Sequence, residues 1–217
     1  MLPHLNWSEY PLPNSAPVRR VPNQLGSCYE DNASPANQRS NLLCSGTRQV
    51  FRYPSVIQNF VKTWAELTFD WDNKIPGTND TDSGIKVNSK RVSTSSYFAS
   101  LLLEPNFGKA SLPDIAELVP NKVFTGQLRA TVIISFLSEP REVRPGEWEI
   151  DMIATRLLVD RTSGIDERIP FNRTFRIKAV EIQTPPLGSQ ASAFEQKVYE
   201  LRSAGLEINK ITEFKPN

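Results

Sequence analysis

The sequence predicts a single α+β domain: one long helix and shorter helices packed on one face of a curved, about four-stranded antiparallel sheet. Two observations carry this. Residues 127–138, 147–160 and 168–184 alternate apolar and polar side chains, are rich in β-branched and aromatic residues, and are bounded by turn residues. Residues 55–71 carry instead a stripe spaced by threes and fours, Val56, Phe60, Trp64, Leu67 and Trp71. The first pattern needs a cover on one side, and the second supplies it.

Taken in order, the chain opens with residues 1–52, where Pro3, Pro11, Pro13, Pro17, Pro22 and Pro35 remove backbone donors amid Asn, Ser and Gly. Such composition buries little apolar area, so an extended proline-rich arm or linker is expected, and the domain proper is expected over 53–217. Leu2, Leu5, Trp7, Tyr10 and Leu12 give the arm apolar points that would let it lie across a neighbouring subunit. Both cysteines, Cys28 and Cys44, fall in this arm. Two readings stand, a pair of free thiols or a disulfide formed in an oxidising compartment.

The long helix is expected over 55–71, with Ser55 and Gln58 at capping-box spacing directly after Pro54. Phe60, Trp64 and Trp71 are expected in the core. A polar connector, 72–91, follows. Its acidic start fails as a calcium loop, because Lys74 takes a ligand position and Thr81 stands where a glutamate is wanted. Shorter helices are expected over 95–104, ending at Pro105, and over 113–119, beginning at Pro113.

On the strands, Leu128, Ala130, Val132, Ile134 and Phe136 share one face. Trp148, Ile150, Met152, Ala154 and Leu158 form the second apolar row, broken by Arg156. Ile169, Phe171, Phe175, Ile177 and Ala179 form the third, broken by Arg173. After Pro185 and Pro186 the chain restarts at Ser192, three residues before Glu195, a second capping-box spacing. That helix turns Phe194, Val198 and Leu201 inward and closes at Gly205. Residues 205–214 read as a fourth strand whose parity breaks between Ile208 and Ile211, the mark of a bulge or an early end.

The bulk composition narrows the function. A net charge of +1 over 217 residues gives no basic excess for a nucleic-acid surface. The one histidine, His4, stands outside the domain, so no Ser-His-Asp or Cys-His set forms within it, and no metal-ligand cluster or cofactor motif is present. No catalytic residue, metal or cofactor is expected. The remaining candidates for a ligand are Arg156 and Arg173, which interrupt apolar rows, and Asp151 beside them. Each arginine either binds an acidic group in a cleft or marks where its strand leaves the covered zone. The carboxylates Glu149, Asp151 and Glu181 fall on the polar parity and are expected to be solvated. No apolar run reaches the roughly 20 residues of a membrane helix, and the first residues lack the apolar core of a leader.

Three segments, FVKTWAELTFDW, the strand pair GEWEIDMIATRLL and RIPFNRTFRIKAVEI, and the closing VYELRSAGLEINKITEF, together with the order of elements, resemble the nuclear-transport-factor-two-like (cystatin-like α+β roll) superfamily. Within it the chain is most similar to the periplasmic domain of inner-membrane assembly factors of type IV secretion and conjugation systems. The resemblance spans roughly residues 53–214. That family ends its last helix in an Asn-Pro-x-Gly turn. The matching positions here are Arg202, Ser203, Ala204 and Gly205, so Gly205 alone carries over as the interaction turn.

The resemblance implies a membrane span upstream of this chain and a domain on the periplasmic side. Without such an anchor the chain would be cytoplasmic. It also implies scaffolding by self-association and docking of other protein subunits, without turnover. Two other readings stand beside it. A small-molecule binder or cyclase/isomerase of the same roll would use the cavity between helix and sheet, and a structural subunit would be held by its arm. They differ in what fills that cavity: Trp64, Trp71, Phe60 and Trp148 would plug it.

Overall fold

A computed structural model describes residues 51–164, 166–182 and 190–216. The arm expected over 1–52 therefore lies outside the described residues except for Phe51 and Arg52, and Cys28 and Cys44 lie outside them altogether.

Helix α1, Pro54–Phe69, begins one residue earlier than its sequence signal and by a different device. Pro54 occupies the first turn, where its missing N–H costs nothing, and Tyr53 before it is extended, as a residue preceding proline must be. The expected Ser55–Gln58 capping box does not form. Ser55 is already helical, and Gln58 donates instead to the Ser138 carbonyl at 3.2 Å. The helix also stops before Trp71. The Asp70 carboxylate accepts the Val132 N–H at 2.7 Å and the Thr131 hydroxyl at 3.0 Å, which draws the chain onto the sheet. Trp71 then exchanges both backbone hydrogen bonds with Ala130, at 2.9 and 3.0 Å.

The connector expected to be irregular contains a small hairpin, β1 (Ile85–Val87) and β2 (Lys90–Val92), turned at Asn88 with φ 54°. Helix α2, Thr94–Ser100, is capped by the Ser93 hydroxyl on the Ser96 N–H. Helix α3, Pro105–Leu118, corrects the expected 113–119 helix. Pro105 is its N-terminal proline, and Pro113 lies inside it. Pro113 forgoes the bond to the carbonyl of Lys109 and crowds it, but Lys109 is exposed, and the helix persists through the proline. Leu112, Ile115 and Ala116 of α3 form a second small core with Val92.

A 3-10 turn, Asn121–Val123, leads into the main sheet. Its path is β3 (Leu128–Leu137), β5 (Glu147–Asp160), β7 (Arg173–Ala179) and β8 (Leu206–Glu213), all antiparallel. β4 (Arg141–Arg144) and β6 (Asp166–Pro170) also pair with β5, making six strands. The fold class is α+β with a curved, mostly antiparallel sheet, as the sequence predicts.

Three features refine the strand reading. The third strand is divided at Phe171–Asn172, yet its register continues, Thr155 facing Pro170 and Met152 facing Arg173. At the break, Phe171 N–H donates to the Ala154 carbonyl at 2.8 Å, while the Ala154 N–H is met by the Asn172 side-chain oxygen at 3.4 Å. A bulge between Ile134 and Phe136 reverses parity, so Phe136 is 49% exposed and Leu137 packs inward in its place. A second register shift, at Ile208 to Lys210, shows that the parity break expected in the last strand is a bulge and not an early end. Helix α4, Ala193–Arg202, carries the predicted capping box of Ser192 and Glu195.

Candidate functional site

The concave side of the sheet is where a roll fold would hold a ligand, and aromatic rings fill it. Trp64, expected in the core from its place in the helical stripe, is 4% exposed. Its ring meets Phe175 edge-on at 5.2 Å, Phe69 at 6.2 Å and Phe171 in a stacked arrangement at 6.4 Å. Phe69 and Phe171 close the gap between them at 4.6 Å. Edge-to-face arrangements of this kind add to the burial term. Phe60, Trp71 and Trp148 are buried as well. The Trp71 indole donates to the Thr68 carbonyl at 2.9 Å and the Ser96 hydroxyl at 3.1 Å. The Trp64 indole Nε1 is buried without a partner.

Arg156 stands within this packing, not at its edge. It is 6% exposed, with its guanidinium carbon 4.5 Å from the Phe69 ring centre and 5.5 Å from that of Trp71. Burial pulls its pKa below the ordinary arginine range, and the charge of Glu167 offsets part of that. Neither sequence reading of Arg156 describes it: its charge faces π surfaces. The signal was present in Phe69-Asp70-Trp71, where an i, i+2 aromatic pair straddles the helix end once Asp70 turns extended. Arg173 is half-buried, stands 4.6 Å over Phe171 and donates to the Asn172 carbonyl at 2.7 Å.

Asp151 corrects its expectation of a solvated carboxylate, being 9% exposed. It accepts from Arg141 at 2.7 Å and from the Thr174 hydroxyl at 2.6 Å. Desolvation pushes its carboxyl up, but those two bonds and the Arg141 charge outweigh it and hold the pKa below the usual range. Asp151 lies on the outer face of β5 and Arg156 on the inner one, their positions being of opposite parity. The three candidate residues therefore do not converge on one ligand.

Gly205 sits at a tight junction. Its φ is +60°, and a Cβ there would meet Arg52 Nη2 at 2.4 Å, Ile182 Cγ1 at 2.6 Å and the Val180 carbonyl oxygen at 3.0 Å. Arg52 reaches this turn from the residues before α1, donating Nε to the Ala204 carbonyl at 2.8 Å and Nη2 to the Gly205 carbonyl at 3.0 Å. Sequence reasoning gave Arg52 no role. Its bonds span more than 150 positions, and no local pattern signals them.

A cleft of about 320 Å³ opens at the end of α1, lined by Glu66, Leu67, Asp70, Asp72, Lys74 and Pro76 among others. Burial raises the Asp70 pKa against the lowering effect of its Val132 and Thr131 bonds. Among the described residues no three His, Cys, Asp or Glu side chains are placed to hold a metal ion. No helix among them is long and apolar enough to cross a membrane.

No family model and no curated protein matches the sequence. Among solved structures, the chain is similar to an IcmL-like type IV secretion system protein from Legionella pneumophila subsp. pneumophila str. Philadelphia 1. The identity is 10%, the match covers 76% of this chain and 96% of that one, and the TM-score is 0.43. It is similar also to a TrwG component of the type IV secretion system from Bartonella birtlesii, at 12% identity over 77% and 98% of the two chains, with a TM-score of 0.45. The soluble domain of TrwG from Bartonella grahamii matches at 12% identity over 77% and 100%, with a TM-score of 0.43.

Proposed function

We propose that this chain is a docking domain of a membrane-associated secretion or conjugation machine, acting as a scaffold without catalytic turnover. The observation that carries the reading is the filled concave side. The rings of Trp64, Phe69, Phe171 and Phe175 occupy the volume that a roll-shaped enzyme gives to its substrate. What such a domain has left to offer is its surface. The sequence resemblance to periplasmic domains of inner-membrane assembly factors supports the kind of machine. On this reading the partners are other protein subunits, further copies of this chain among them, and Gly205 marks a turn that contacts one of them. The domain would work on the periplasmic side of a membrane, tethered by a segment outside these 217 residues.

The test is a transfer assay in host cells whose gene for this chain is deleted, with crosslinking in the complemented strain. Loss of DNA or protein transfer, its return with the wild-type chain, and crosslinks to other protein subunits are expected. Transfer at the parental level would overturn the reading. So would a small metabolite that raises the melting temperature in saturable fashion, the signature of a ligand bound to the native state.

A further inference from the structure

Arg156 is the one arginine that is fully buried among the described residues. Shallower arginines spend their donors within the fold: Arg141 on Asp151 at 2.7 Å, Arg176 on Glu149 at 2.5 Å, and Arg173 on the Asn172 carbonyl at 2.7 Å. Arg156 does not. Among the described residues its guanidinium forms no hydrogen bond and no ion pair. The Phe69 and Trp71 rings, 4.5 and 5.5 Å from its central carbon, attract the charge but offer no lone pair to its N–H donors. Nε is sealed from solvent, and the two Nη groups are not.

The register says where that donor edge lies. Arg156 faces Val132 on β3 and Ile169 on β6, both half-buried, whereas Ile150 and Phe175 farther back on the same face are shut off completely. The cover over the inner face thins here, and the Nη groups meet water at its margin. Glu167, across from Leu158 on the same face, is exposed and closes no ion pair with Arg156.

A planar fork of N–H donors, held against π surfaces and stripped of most of its water, is shaped to take two oxygens at once. In the free chain the buried charge is uncompensated. An incoming carboxylate supplies both acceptors and the counter-charge together. A phosphate brings more charge than one guanidinium neutralises, and the border here is apolar, Val132 and Ile169, with the acidic Glu167 beyond. The same border lacks the convergent polar groups that orient a small free ligand. A side chain already positioned by its own protein needs none.

We infer that the Nη edge of Arg156 is a receptor for a carboxylate, which on the docking reading is the glutamate or aspartate side chain of a protein partner. The site itself stands on the geometry of Arg156; only the source of the carboxylate rests on that reading.

The test has two arms. In the first, Arg156→Met and Arg156→Lys go through the same transfer assay and crosslinking, with melting curves to confirm that each is folded. Arg156→Met is expected to melt no lower than the wild type yet to lose transfer and crosslinks about tenfold or more, the worth of a charge-assisted contact. Arg156→Lys, which keeps the charge and loses the fork, is expected to fall between the two. In the second arm the NMR signal of the Arg156 Nε–Hε group is followed in the full 217-residue chain during titration with the peptide acetyl-Gly-Glu-Gly-amide and with its glutamine counterpart. A saturable shift is expected with the glutamate peptide, and binding about tenfold weaker with the glutamine one. Should Arg156→Met fail to fold, the titration decides alone. Wild-type transfer by Arg156→Met in a strain whose deletion abolishes transfer would overturn the inference, and so would a signal that moves with neither the glutamate peptide nor free glutarate. A rise in melting temperature with glutarate that vanishes in Arg156→Met would uphold the site and end the docking reading. Parental transfer in the deletion strain would also end that reading, and the titration would then decide the site.

Discussion

Replacing Arg156 by methionine sets two opposed effects against each other. In favour of the arginine stand its contacts with the Phe69 and Trp71 rings, at 4.5 and 5.5 Å, worth together about 2–3 kcal/mol at a desolvated site. Against it stand an Nε buried without a hydrogen-bond partner, costing about 1–3 kcal/mol, and the burial of a charge, costing several more. The depressed pKa has burial as its largest cause, in keeping with that balance. Methionine keeps an unbranched stem in the same slot and recovers about 0.3–1.5 kcal/mol from sulfur–ring contact. Arg156→Met is therefore expected to be as stable as the wild type or more stable by about 1–2 kcal/mol. Arg156→Ala, which empties the slot, should lose about 2–4 kcal/mol. The assay is urea unfolding followed by tryptophan fluorescence, with the slope checked for constancy. A loss of more than about 2 kcal/mol in Arg156→Met would refute the reasoning, showing that the buried charge is compensated by more than the two rings.

Trp64→Ala should cost about 3–5 kcal/mol, since it opens a cavity among the three rings of Phe69, Phe171 and Phe175, and an unchanged melting temperature would remove the side chain from the core. Gly205→Ala combines a left-handed backbone with close approach to Arg52, Ile182 and the Val180 carbonyl, so it should lose about 2–3 kcal/mol; in an Arg52→Ala background the further loss should shrink by about 1 kcal/mol, and full additivity in that double-mutant cycle would deny the coupling. Asp160 is held down to about 2 by Lys122 and the Thr162 and Ser163 N–H groups. Its folded pKa lies below its ordinary 3.8, so it supports the fold above about pH 4 and loses that support as pH falls toward 2. Asp160→Asn should accordingly flatten the stability profile across that window, and a profile unchanged between pH 4 and 2 would show the carboxylate to be unperturbed.

Where the sequence was legible, the pattern was local and repeated. The alternation along 147–160 defined β5 to the residue, because the pleat imposes a period of two that few other structures imitate. Ser192 and Glu195 announced α4 because a capping box needs only the residues that form it. The misreadings arose where a distant group intervened. Trp71 fits a helical stripe, yet the bonds from Asp70 to Val132 and Thr131 end the helix before it. Pro113 reads as a helix start, but Pro105 holds that position and α3 continues past the second proline. Phe136 keeps the parity of its strand in sequence and loses it to a bulge, which depends on how β5 is paired. Of the candidate site, Trp64 and Trp148 were visible as core residues. The burial of Asp151 and the aromatic setting of Arg156 were not, because both depend on partners from other elements.

By itself the sequence determined the class of fold, the order of its longest elements and most of their apolar faces, since these follow from the spacing of side chains along a single stretch of backbone. Tertiary structure decided where two charged residues rest, which way Phe136 points and how Arg52 secures the Gly205 turn. Each of those outcomes is set by contact between segments distant in the chain, and the free energy of such a contact exists only once both surfaces have been brought together.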